Sequence, residues 1–497
     1  MGWGNIYIRR MKVYMLTFKV LLDYKAVKTK SKWTQISKIP SLWEKAHNRN
    51  GKRIVELIKE LNGLWVKLGQ YLSGRADVLP PEYITLLKTL QDCLPPRPLQ
   101  EVCQTIEKEL GKTVDDLFMD FVKNPLATAS IAQVHRAKLS DGQDVVVKVR
   151  HQGIKKFFLE DLKDAKFVIN WIARAEPLYD FNPVLDEWCR EAPKELDFNL
   201  EAENTRTVSR NLGCKNRGED NKVDVLVPEV IQACEYLAKE KSSVLKKQST
   251  EAVLILEYMD GIRINDSETL EAFGVDKQKI VEEITHAYAH QIYVDGFFNG
   301  DPHPGNFLVS KEAPHRPILL DFGLTKKVTY SVKQALAKML LAAAEGDHVA
   351  LLSAMEEMGL KLRVDLPEQA MEVTTLFFRD ATPTDEAPVS LFSEHLYTFW
   401  FQFEAFPGDF VMFSKVLTLL RGLSSMMNVR IVYLDILRPF AESVLEGNIK
   451  KGPAANPQWI YDSPIHCEVE AKLREFLVQL GNEDRILGIQ VCTLHQF

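Results

Sequence analysis

Three side chains between residues 297 and 323 have the types and the spacing that phosphoryl transfer requires. Asp301 and Asn306 are separated by four residues, and Asp321 follows the apolar run 318–320. Transfer of a phosphoryl group needs a nucleophile held in line and cations that neutralise the phosphate oxygens, with little covalent help from the protein. We therefore predict that Asp301 orients the nucleophile and that Asn306 and Asp321 hold Mg²⁺.

This order of residues is typical of the catalytic loop and the D-F-G loop of kinases. Asp321 is the first residue of the triplet Asp321-Phe322-Gly323. A D-F-G triplet alone is weak because it occurs by chance, but the preceding apolar strand and the earlier Asp and Asn make the combination specific. The alternative is that all three are turn-forming residues in loops.

A lysine in a strand is predicted to bind the phosphates of the nucleotide. Lys148 interrupts the valine run 145–149, and the Asp-Gly pair at 141–142 predicts a hairpin before it. A lysine inside such a run is costly to bury unless its charge is paired. In kinases this lysine pairs with a helical Glu, and the acidic segment 184–206 supplies the candidates, among them Asp197 and Glu201 on one helical face. The alternative is a lysine on an edge strand.

The predicted nucleotide loop is rich in alanine where kinases have glycine. Kinases cover the phosphates with G-x-G-x-x-G, whereas residues 127–135 read ATASIAQVH. Alanine has no free access to positive φ, so we expect a stiffer loop with altered nucleotide geometry and selectivity. The residues expected to bind the nucleotide are Ala127, Ala129, Ser130, Ala132, Gln133, Lys148, Glu257 and Met259.

The length and composition predict a globular protein of more than one lobe. A chain of 497 residues exceeds what one core usually spans, and 46% hydrophobic with 26% charged residues is ordinary for a globular protein. We predict an α+β, bilobal protein-kinase-like fold with helical N-terminal and C-terminal regions. The expected divisions are a basic amphipathic segment at 1–50, a helical extension at 51–122, an N-lobe at 123–258 with an insertion near 236–252, a helical C-lobe at 259–450 and a tail at 451–497.

Several functional classes are disfavoured by charge and cysteine usage. The net charge of −6 gives no general attraction to nucleic acid. Seven scattered cysteines without a C-x-x-C pair predict neither a zinc site nor a disulfide framework, which favours a reducing, intracellular compartment. We find no apolar run of the roughly 18 to 20 residues that a membrane span needs.

The first 22 residues could form a helix with one apolar face. They contain four basic and no acidic residues, and the apolar positions are Ile6, Ile8, Met11, Tyr14, Met15 and Phe18. This pattern fits an organelle-targeting or membrane-surface helix, and it fits equally the first amphipathic helix of the fold. A second periodic segment predicts one continuous helix over residues 51–75.

Together these motifs resemble the UbiB-type atypical kinases, also called aarF-domain kinases, over about residues 50–330. Lys67-x-Gly69-Gln70 is similar to the K-x-G-Q signature of that family, and Glu195-x-Asp197 is similar to its E-x-D motif. Glu201 stands where the family has the Glu that pairs with the strand lysine, so the resemblance implies that Glu201 pairs with Lys148. The alanine-rich loop, the catalytic loop and the D-F-G triplet complete the likeness. One departure is Asn299, where the family usually has His.

The resemblance implies a kinase-like fold whose added K-x-G-Q helix covers the place where a protein substrate would dock. Regulatory roles would then belong to Lys67, Gly69, Gln70, Glu195 and Asp197. It also implies ATP or ADP and Mg²⁺ as cofactors, a small-molecule or lipid acceptor, peripheral membrane contact, and a role in ubiquinone or other isoprenoid lipid metabolism in mitochondria or plastids. Some plant members carry a β-lactamase-like domain after this region, and the tail could begin one.

Two other functions remain open from the sequence. A catalytically silent, nucleotide-binding scaffold would explain the altered loop and Asn299, although such proteins tend to lose the acidic residues retained here. A conventional protein kinase is disfavoured because the chain lacks a Gly-rich loop and an A-P-E motif after the D-F-G triplet.

Overall fold

Within the part of the chain that the structure describes, six α-helices precede the first strand. The computed structural model describes residues 4–73, 79–90, 95–175, 182–214, 223–231, 250–362, 403–405 and 407–449. The helices are α1 (Ile6–Ser31), α2 (Ile39–Leu61), α3 (Leu64–Ser73), α4 (Pro81–Lys88), α5 (Leu99–Leu110) and α6 (Val114–Leu117). The tail 451–497 and most of the predicted insertion near 236–252 lie outside the described residues.

The continuous helix predicted over residues 51–75 is wrong. Asn62 and Gly63 adopt φ values of 57° and 58°, which an α-helix cannot contain, so α2 ends at Leu61 and α3 begins at Leu64. An Asn-Gly pair is a strong turn signal, and it outweighs the apolar periodicity that runs through it. The break lets α3 take its own direction, and α3 carries Lys67.

An antiparallel sheet follows, with one face towards a buried core and the other towards the site. Its strands are β1 (Phe118–Phe121), β2 (Ala127–Thr128), β3 (Ala132–Leu139), β4 (Asp144–Arg150) and β5 (Val253–Glu257), in the order β1-β3-β4-β5 with β2 on β3. Successive side chains of a strand point to opposite faces, so Val145, Val147 and Val149 share one face and belong to a buried cluster with α5. Lys148 therefore points to the opposite face, between Val134 and Leu254.

Three described α-helices lie between β4 and β5 in the chain, and the last of them carries Glu201. They are α7 (Ile154–Ala175), α8 (Asn182–Glu191) and α9 (Phe198–Asn211). Asp197 caps α9 by accepting a hydrogen bond from the Asn199 N–H, which fixes where the helix begins. Phe158, Phe198 and Leu254 share one buried cluster with Leu64 and Leu68 of α3. The same core therefore positions α3 and α9 relative to the sheet.

The C-terminal half is mainly helical around a large buried cluster. Its helices are α10 (Ser267–Ala272), α11 (Lys277–Ala289), α12 (Tyr330–Glu345), α13 (His348–Glu357), α14 (Gly408–Met427) and α15 (Tyr433–Ile449). Its short strands are β6 (Gly261–Arg263), β7 (Phe297–Asn299), β8 (Phe307–Ser310), β9 (Pro317–Leu319), β10 (Thr325–Lys327), β11 (Lys361–Leu362) and β12 (Phe403–Ala405). The predicted α+β class, with helical terminal regions, is confirmed.

Two strand pairs deliver the predicted catalytic loops to one place. In the sheet β6-β8-β9, Phe307 lies opposite Leu319, so Asn306 and Asp321 emerge at the same edge. Asn299 at the end of β7 pairs with Thr325 in β10, which brings the start of the catalytic loop beside the D-F-G loop. The register of these two strand pairs therefore brings the loops together, although the loops are separate in the sequence.

One described helix, α14, is long and apolar enough to cross a membrane by length and composition alone. This corrects the expectation that no such run exists. About 61% of its most apolar window is buried inside the protein, where Phe413, Leu417 and Leu420 belong to the C-terminal core. Its apolar character is therefore explained by packing in the core.

Candidate functional site

Lys148 contacts two carboxylates that were predicted from two different segments of the sequence. Its Nζ lies 2.6 Å from Glu201 Oε1 and 2.9 Å from Asp321 Oδ2. The three residues come from β4, α9 and the loop after β9, and Lys148 is separated from the two acids by 53 and 173 residues of chain. Phe198 lies beneath the lysine, with its ring centroid 5.4 Å from Nζ. Three predicted site residues are therefore in direct contact.

Burial and mutual attraction set the charges in this group. Burial raises the pKa of Glu201 to about 7, against the lowering effect of Lys148. Burial would also raise the pKa of Asp321, but Lys148 and the Gly323 N–H outweigh it and lower the value to about 2. Burial opposes the charge on Lys148, yet the two carboxylates raise its pKa above the ordinary value. Asp321 is therefore the firmly ionised acid.

The catalytic loop is held by Asn299, which bridges the two loops of the site. Its Oδ1 accepts a hydrogen bond of 2.8 Å from the Asp301 N–H, and its Nδ2 donates one of 2.7 Å to the Asp321 carbonyl. The side chain is buried, and its own N–H donates to Gln291 Oε1. Asn306 Nδ2 donates to the Asp301 carbonyl at 3.1 Å, which leaves its amide oxygen as the atom available to a cation.

Lys415 is a residue of the site that the sequence interpretation missed. It lies on α14, and its Nζ is 3.1 Å from Asp301 Oδ1 and 5.3 Å from the ring centroid of Tyr71 on α3. Burial would raise the pKa of Asp301, but Lys415, His303 and Lys67 outweigh it and keep the value below the ordinary 3.8. Asp301 is therefore an ionised carboxylate with a cation from a distant helix beside it.

Helix α14 reaches the catalytic loop because residue 300 has no side chain. A Cβ built on Gly300 would lie 2.7 Å from Met412 Sδ and 3.4 Å from Leu324 Cγ. Met412 therefore occupies the space beside Gly300, at the position where regulated kinases carry an Arg before the catalytic Asp. The same approach brings Lys415, three residues later on α14, to Asp301.

Of the K-x-G-Q residues, Lys67 enters the site and the other two fasten its helix. Lys67 Nζ forms an ion pair with Glu195 Oε2, and the lysine also interacts electrostatically with Asp301 and Asp321. Gln70 Nε2 instead donates to the Leu90 carbonyl at 3.0 Å. A Cβ on Gly69 would lie 2.5 Å from Leu90 Cδ1, so glycine permits this close packing.

Lys67 sits in a strongly desolvated position. Burial lowers its pKa to about 8, although Asp301 and Asp321 oppose that change. Glu195 is the acid of the E-x-D motif that contacts it, while Asp197 is engaged as the cap of α9. Within the described residues, Glu195 Oε1 is buried without a hydrogen-bond partner. The two acids of the motif therefore differ in what they contact.

The alanine-rich loop forms a tight hairpin fixed by a histidine that was not predicted. Ala127 pairs with Val134, and the Ala129 N–H donates to the Ala132 carbonyl at 2.8 Å. His151, just before α7, donates from Nε2 to the Ala129 carbonyl at 3.1 Å, and its own N–H donates to the Ile131 carbonyl. The expected stiffness of this loop has a physical source in these contacts.

The other residues expected to bind nucleotide are placed differently from one another. Ser130 and Ala132 are buried in the hairpin, and Met259 is half-buried after β5. The side chain of Gln133 is occupied elsewhere, accepting from the Arg97 N–H and contacting His135. Glu257 Oε2 accepts from the Glu229 N–H at 3.1 Å. Any contact from Gln133 to a nucleotide would therefore come from the backbone.

Comparison with known proteins identifies a family for the chain. The profile of the ABC1 atypical kinase-like domain matches residues 89–355. An uncharacterized protein of Synechocystis is 30% identical over 91% of this chain and 75% of its own length. The chloroplastic protein ACTIVITY OF BC1 COMPLEX KINASE 8 of Arabidopsis thaliana is 32% identical over 76% of this chain, and AarF domain-containing protein kinase 1 of Xenopus laevis is 30% identical over 62%.

A solved structure supports the fold independently. The Mycobacterium tuberculosis protein Rv3197, determined in a complex with erythromycin, superposes with a TM-score of 0.51 and 22% identity over 83% of this chain and 98% of its own. At this identity the likeness shows the fold alone. The chain spans about half the length of its Arabidopsis and Xenopus relatives, at 46% and 56%. The profile match and the Synechocystis relative show that this chain belongs to the ABC1 atypical kinase-like family. These are the UbiB-type or aarF-domain kinases that its sequence motifs resemble.

Proposed function

We propose that this protein binds ATP with Mg²⁺ and transfers the terminal phosphoryl group to water or to a small acceptor. The observation that carries the proposal is the contact of Lys148 with both Glu201 and Asp321, at 2.6 and 2.9 Å. In kinases the pairing of the strand lysine with a helical Glu, and a D-F-G Asp beside it, mark the active arrangement. The same three residue types meet here, which supports the same roles for them.

The residues present fit a magnesium ion. Mg²⁺ prefers oxygen ligands and usually takes one or two from the protein, with the rest from water and phosphates. Asp321, with a pKa of about 2, and the amide oxygen of Asn306 supply two such oxygens. No group of three His, Cys, Asp or Glu that could hold a metal ion occurs in the described part of the chain. When bound, Mg²⁺ would neutralise charge on the phosphate oxygens.

Asp301 is proposed to orient the nucleophile and to accept its proton. The carboxylate is ionised and is positioned by the backbone hydrogen bond to Asn299 and the ion pair with Lys415. Because Lys415 Nζ lies against Oδ1, the second carboxylate oxygen is the one expected to face the nucleophile. Lys415 would therefore act as a positioning residue for Asp301.

The position of α3 supports a small acceptor. Lys67 extends from this helix towards Asp301 and Asp321, and Tyr71 of the same helix lies over Lys415. A peptide would have to displace this helix, whose packing on Leu90 and whose ion pair with Glu195 both oppose its movement. Water, a small metabolite or the polar end of an isoprenoid lipid would need less room. We therefore propose that Lys67 restricts the acceptor.

A plastid is the proposed compartment. The Arabidopsis relative is named as chloroplastic, and two of the similar proteins come from a cyanobacterium. A function in isoprenoid quinone or lipid metabolism is proposed on the resemblance to the UbiB-type family. Fractionation of cells that express a tagged full chain would test the compartment, and recovery only outside plastids would contradict it.

The test of the activity is phosphate release by the purified full chain over a range of Mg²⁺ concentrations, with and without membrane lipid. Asp321→Asn removes the ionised ligand with little change in shape, so we expect turnover to fall by at least about a hundredfold. Asp120→Asn, an exposed residue on β1, is the matched control and should retain activity. Full turnover by Asp321→Asn would reject the assignment.

A nucleotide-binding scaffold is the competing function, and the alanine-rich loop favours it, because kinases cover the phosphates with a glycine-rich loop. In a scaffold, ATP would raise the melting temperature of the purified protein without phosphate release under any of the conditions above. Release that depends on Mg²⁺ and on Asp321 would exclude this alternative.

A further inference from the structure

Helix α1 is held to the protein partly by ion pairs, and it leaves a row of apolar side chains exposed. Arg9 is buried, donates to the Leu61 carbonyl at 2.7 Å, and forms an ion pair with Asp161 of α7. Arg10 pairs with Asp164 at 2.7 Å. A surface helix of a soluble protein normally turns its apolar stripe to the core. In α1 the inner face holds the buried Arg9 beside only two buried valines, and larger apolar side chains lie outside.

The outer face of α1 is a continuous apolar stripe. Its members repeat at intervals of three and four residues, which places them on one side of a helix. Each is at least half exposed: Ile8 57%, Met11 57%, Met15 66%, Phe18 53% and Leu22 50%. Exposed apolar residues are ordinary singly, but an ordered stripe of five marks an interaction surface.

The neighbouring helix α7 widens this surface. Phe167 is 55% exposed and its ring lies 4.9 Å from Tyr14, while Trp171 stacks at 6.3 Å on Phe18. Aromatic rings thus continue the apolar surface from α1 onto α7.

Basic residues and two exposed apolar residues follow at the end of α1. Trp33 and Ile36 are 88% and 87% exposed, and they stand among Lys28, Lys30, Lys32 and Lys38. The first 43 residues contain nine basic residues and one acidic residue, whereas the whole chain has a net charge of −6. Tryptophan with flanking lysines is typical of the headgroup level of a membrane.

We infer that the outer face of α1, with the segment 32–38, lies on the surface of an anionic lipid bilayer. The apolar stripe would enter the headgroup boundary, and the lysines would contact acidic headgroups. A second copy of the chain would bring nine basic residues against nine others, so charge favours the lipid surface. Because α1 is fixed to α2 by the Lys12–Glu60 pair, docking would hold the N-terminal helices at the membrane.

Vesicle co-sedimentation of the full chain tests this inference. The probes are phosphatidylcholine vesicles that contain or lack phosphatidylglycerol, and binding is expected only to the anionic ones and to weaken in high salt. Substituting Met11→Gln, Met15→Gln and Phe18→Gln together should lower binding by at least about tenfold. Met119→Gln, Val122→Gln and Leu126→Gln together alter three exposed apolar residues on another part of the chain and should leave binding within about twofold.

A variant that removes positive charge provides a second test of the inference. Replacing Lys25, Lys30 and Lys32 by Gln leaves the apolar stripe intact, and it should reduce binding to anionic vesicles at low salt. Circular dichroism and sedimentation velocity are recorded for every variant. Equal binding by the stripe variant, or failure of the unaltered chain to bind anionic vesicles, would overturn the inference. A stripe variant that only converts a dimer to a monomer would assign the face to a second copy instead.

Discussion

Lys415 Nζ lies 3.1 Å from Asp301 Oδ1, across 114 residues of chain. The lysine comes from the middle of a mostly apolar core helix, and its side chain is only 9% exposed. A buried lysine is costly unless an opposite charge faces it. The pair therefore explains both how Lys415 is tolerated in the core and how Asp301 remains ionised.

Replacing Lys415 should change the acid limb of the pH–rate profile. Without the cation, burial raises the pKa of Asp301, so the carboxylate becomes protonated at a higher pH than in the unaltered protein. Lys415→Met is expected to move the acid limb upward and to reduce kcat by about ten- to a hundredfold. Lys415→Arg keeps the charge and should leave the limb near its original position. A Met variant with an unshifted limb would show that Lys415 is only structural.

Lys415 is a residue of the site that could not be predicted from a sequence motif. Lys148, Glu201, Asp301, Asn306 and Asp321 were all recognisable because each belongs to a local motif of fixed spacing. Lys415 belongs to no such motif, and its partner is determined only by how α14 packs. The signal that could have found it is the one that identified Lys148, a lysine inside an apolar run.

Other departures follow from the same dependence on tertiary contacts. The Asn62-Gly63 turn was visible in the sequence, but the stronger apolar period concealed it. Gln133 and Asp197 lie in recognisable motifs, yet their side chains bind backbone groups of Arg97 and Asn199. A motif gives the residue type and its approximate place, whereas the direction of a side chain depends on neighbours that the motif does not contain.

Asn299 should be more sensitive to truncation than another amide beside the same loop. Asn299→Ala leaves the Asp301 N–H without its acceptor and the Asp321 carbonyl without its donor, both close to the catalytic carboxylates. Each lost partner of a buried polar group costs about 1–3 kcal/mol. We expect a lower free energy of unfolding in urea and a higher Mg²⁺ requirement for activity.

The matched control is Asn204→Ala. Asn204 Nδ2 donates a single bond of 3.0 Å to the Phe322 carbonyl, and its side chain is half-buried. Its truncation should cost less stability and leave the Mg²⁺ requirement nearly unchanged. Equal effects of the two variants would argue against a special role of Asn299 in joining the loops.

Gly69 should tolerate alanine poorly although it lies in a helix. In Gly69→Ala the new Cβ would lie 2.5 Å from Leu90 Cδ1, and Leu87 and Ile58 crowd the same space. Gly422→Ala on α14 provides the control, because nothing lies within 4 Å of the Cβ that it adds. Both variants gain helix propensity, so their difference isolates the clash. We expect Gly69→Ala to be less stable by about 1–3 kcal/mol in urea unfolding. Equal stability would show that Leu90 yields freely.

His151 should make stability depend on pH through its contact with the nucleotide loop. Burial lowers its pKa from 6.5 to about 4, although its bond to the Ala129 carbonyl acts in the opposite direction. The unfolded chain therefore binds this proton more readily than the folded protein. The contribution of neutral His151 is complete above pH 6.5 and is lost as the pH falls towards 4.

His151→Gln removes this titration and keeps a side-chain amide that can donate to the Ala129 carbonyl. Between pH 6.5 and 4, the unaltered protein should lose about 1–3 kcal/mol more stability than the variant, because a pKa difference is a free-energy difference between protonation states. Urea unfolding at several pH values measures this, with His348→Gln at an exposed position as the control. Since the loop fixed by His151 is the proposed nucleotide loop, ATP affinity should fall over the same pH interval in the unaltered protein and less in the variant. Parallel pH curves for both proteins would contradict the assignment.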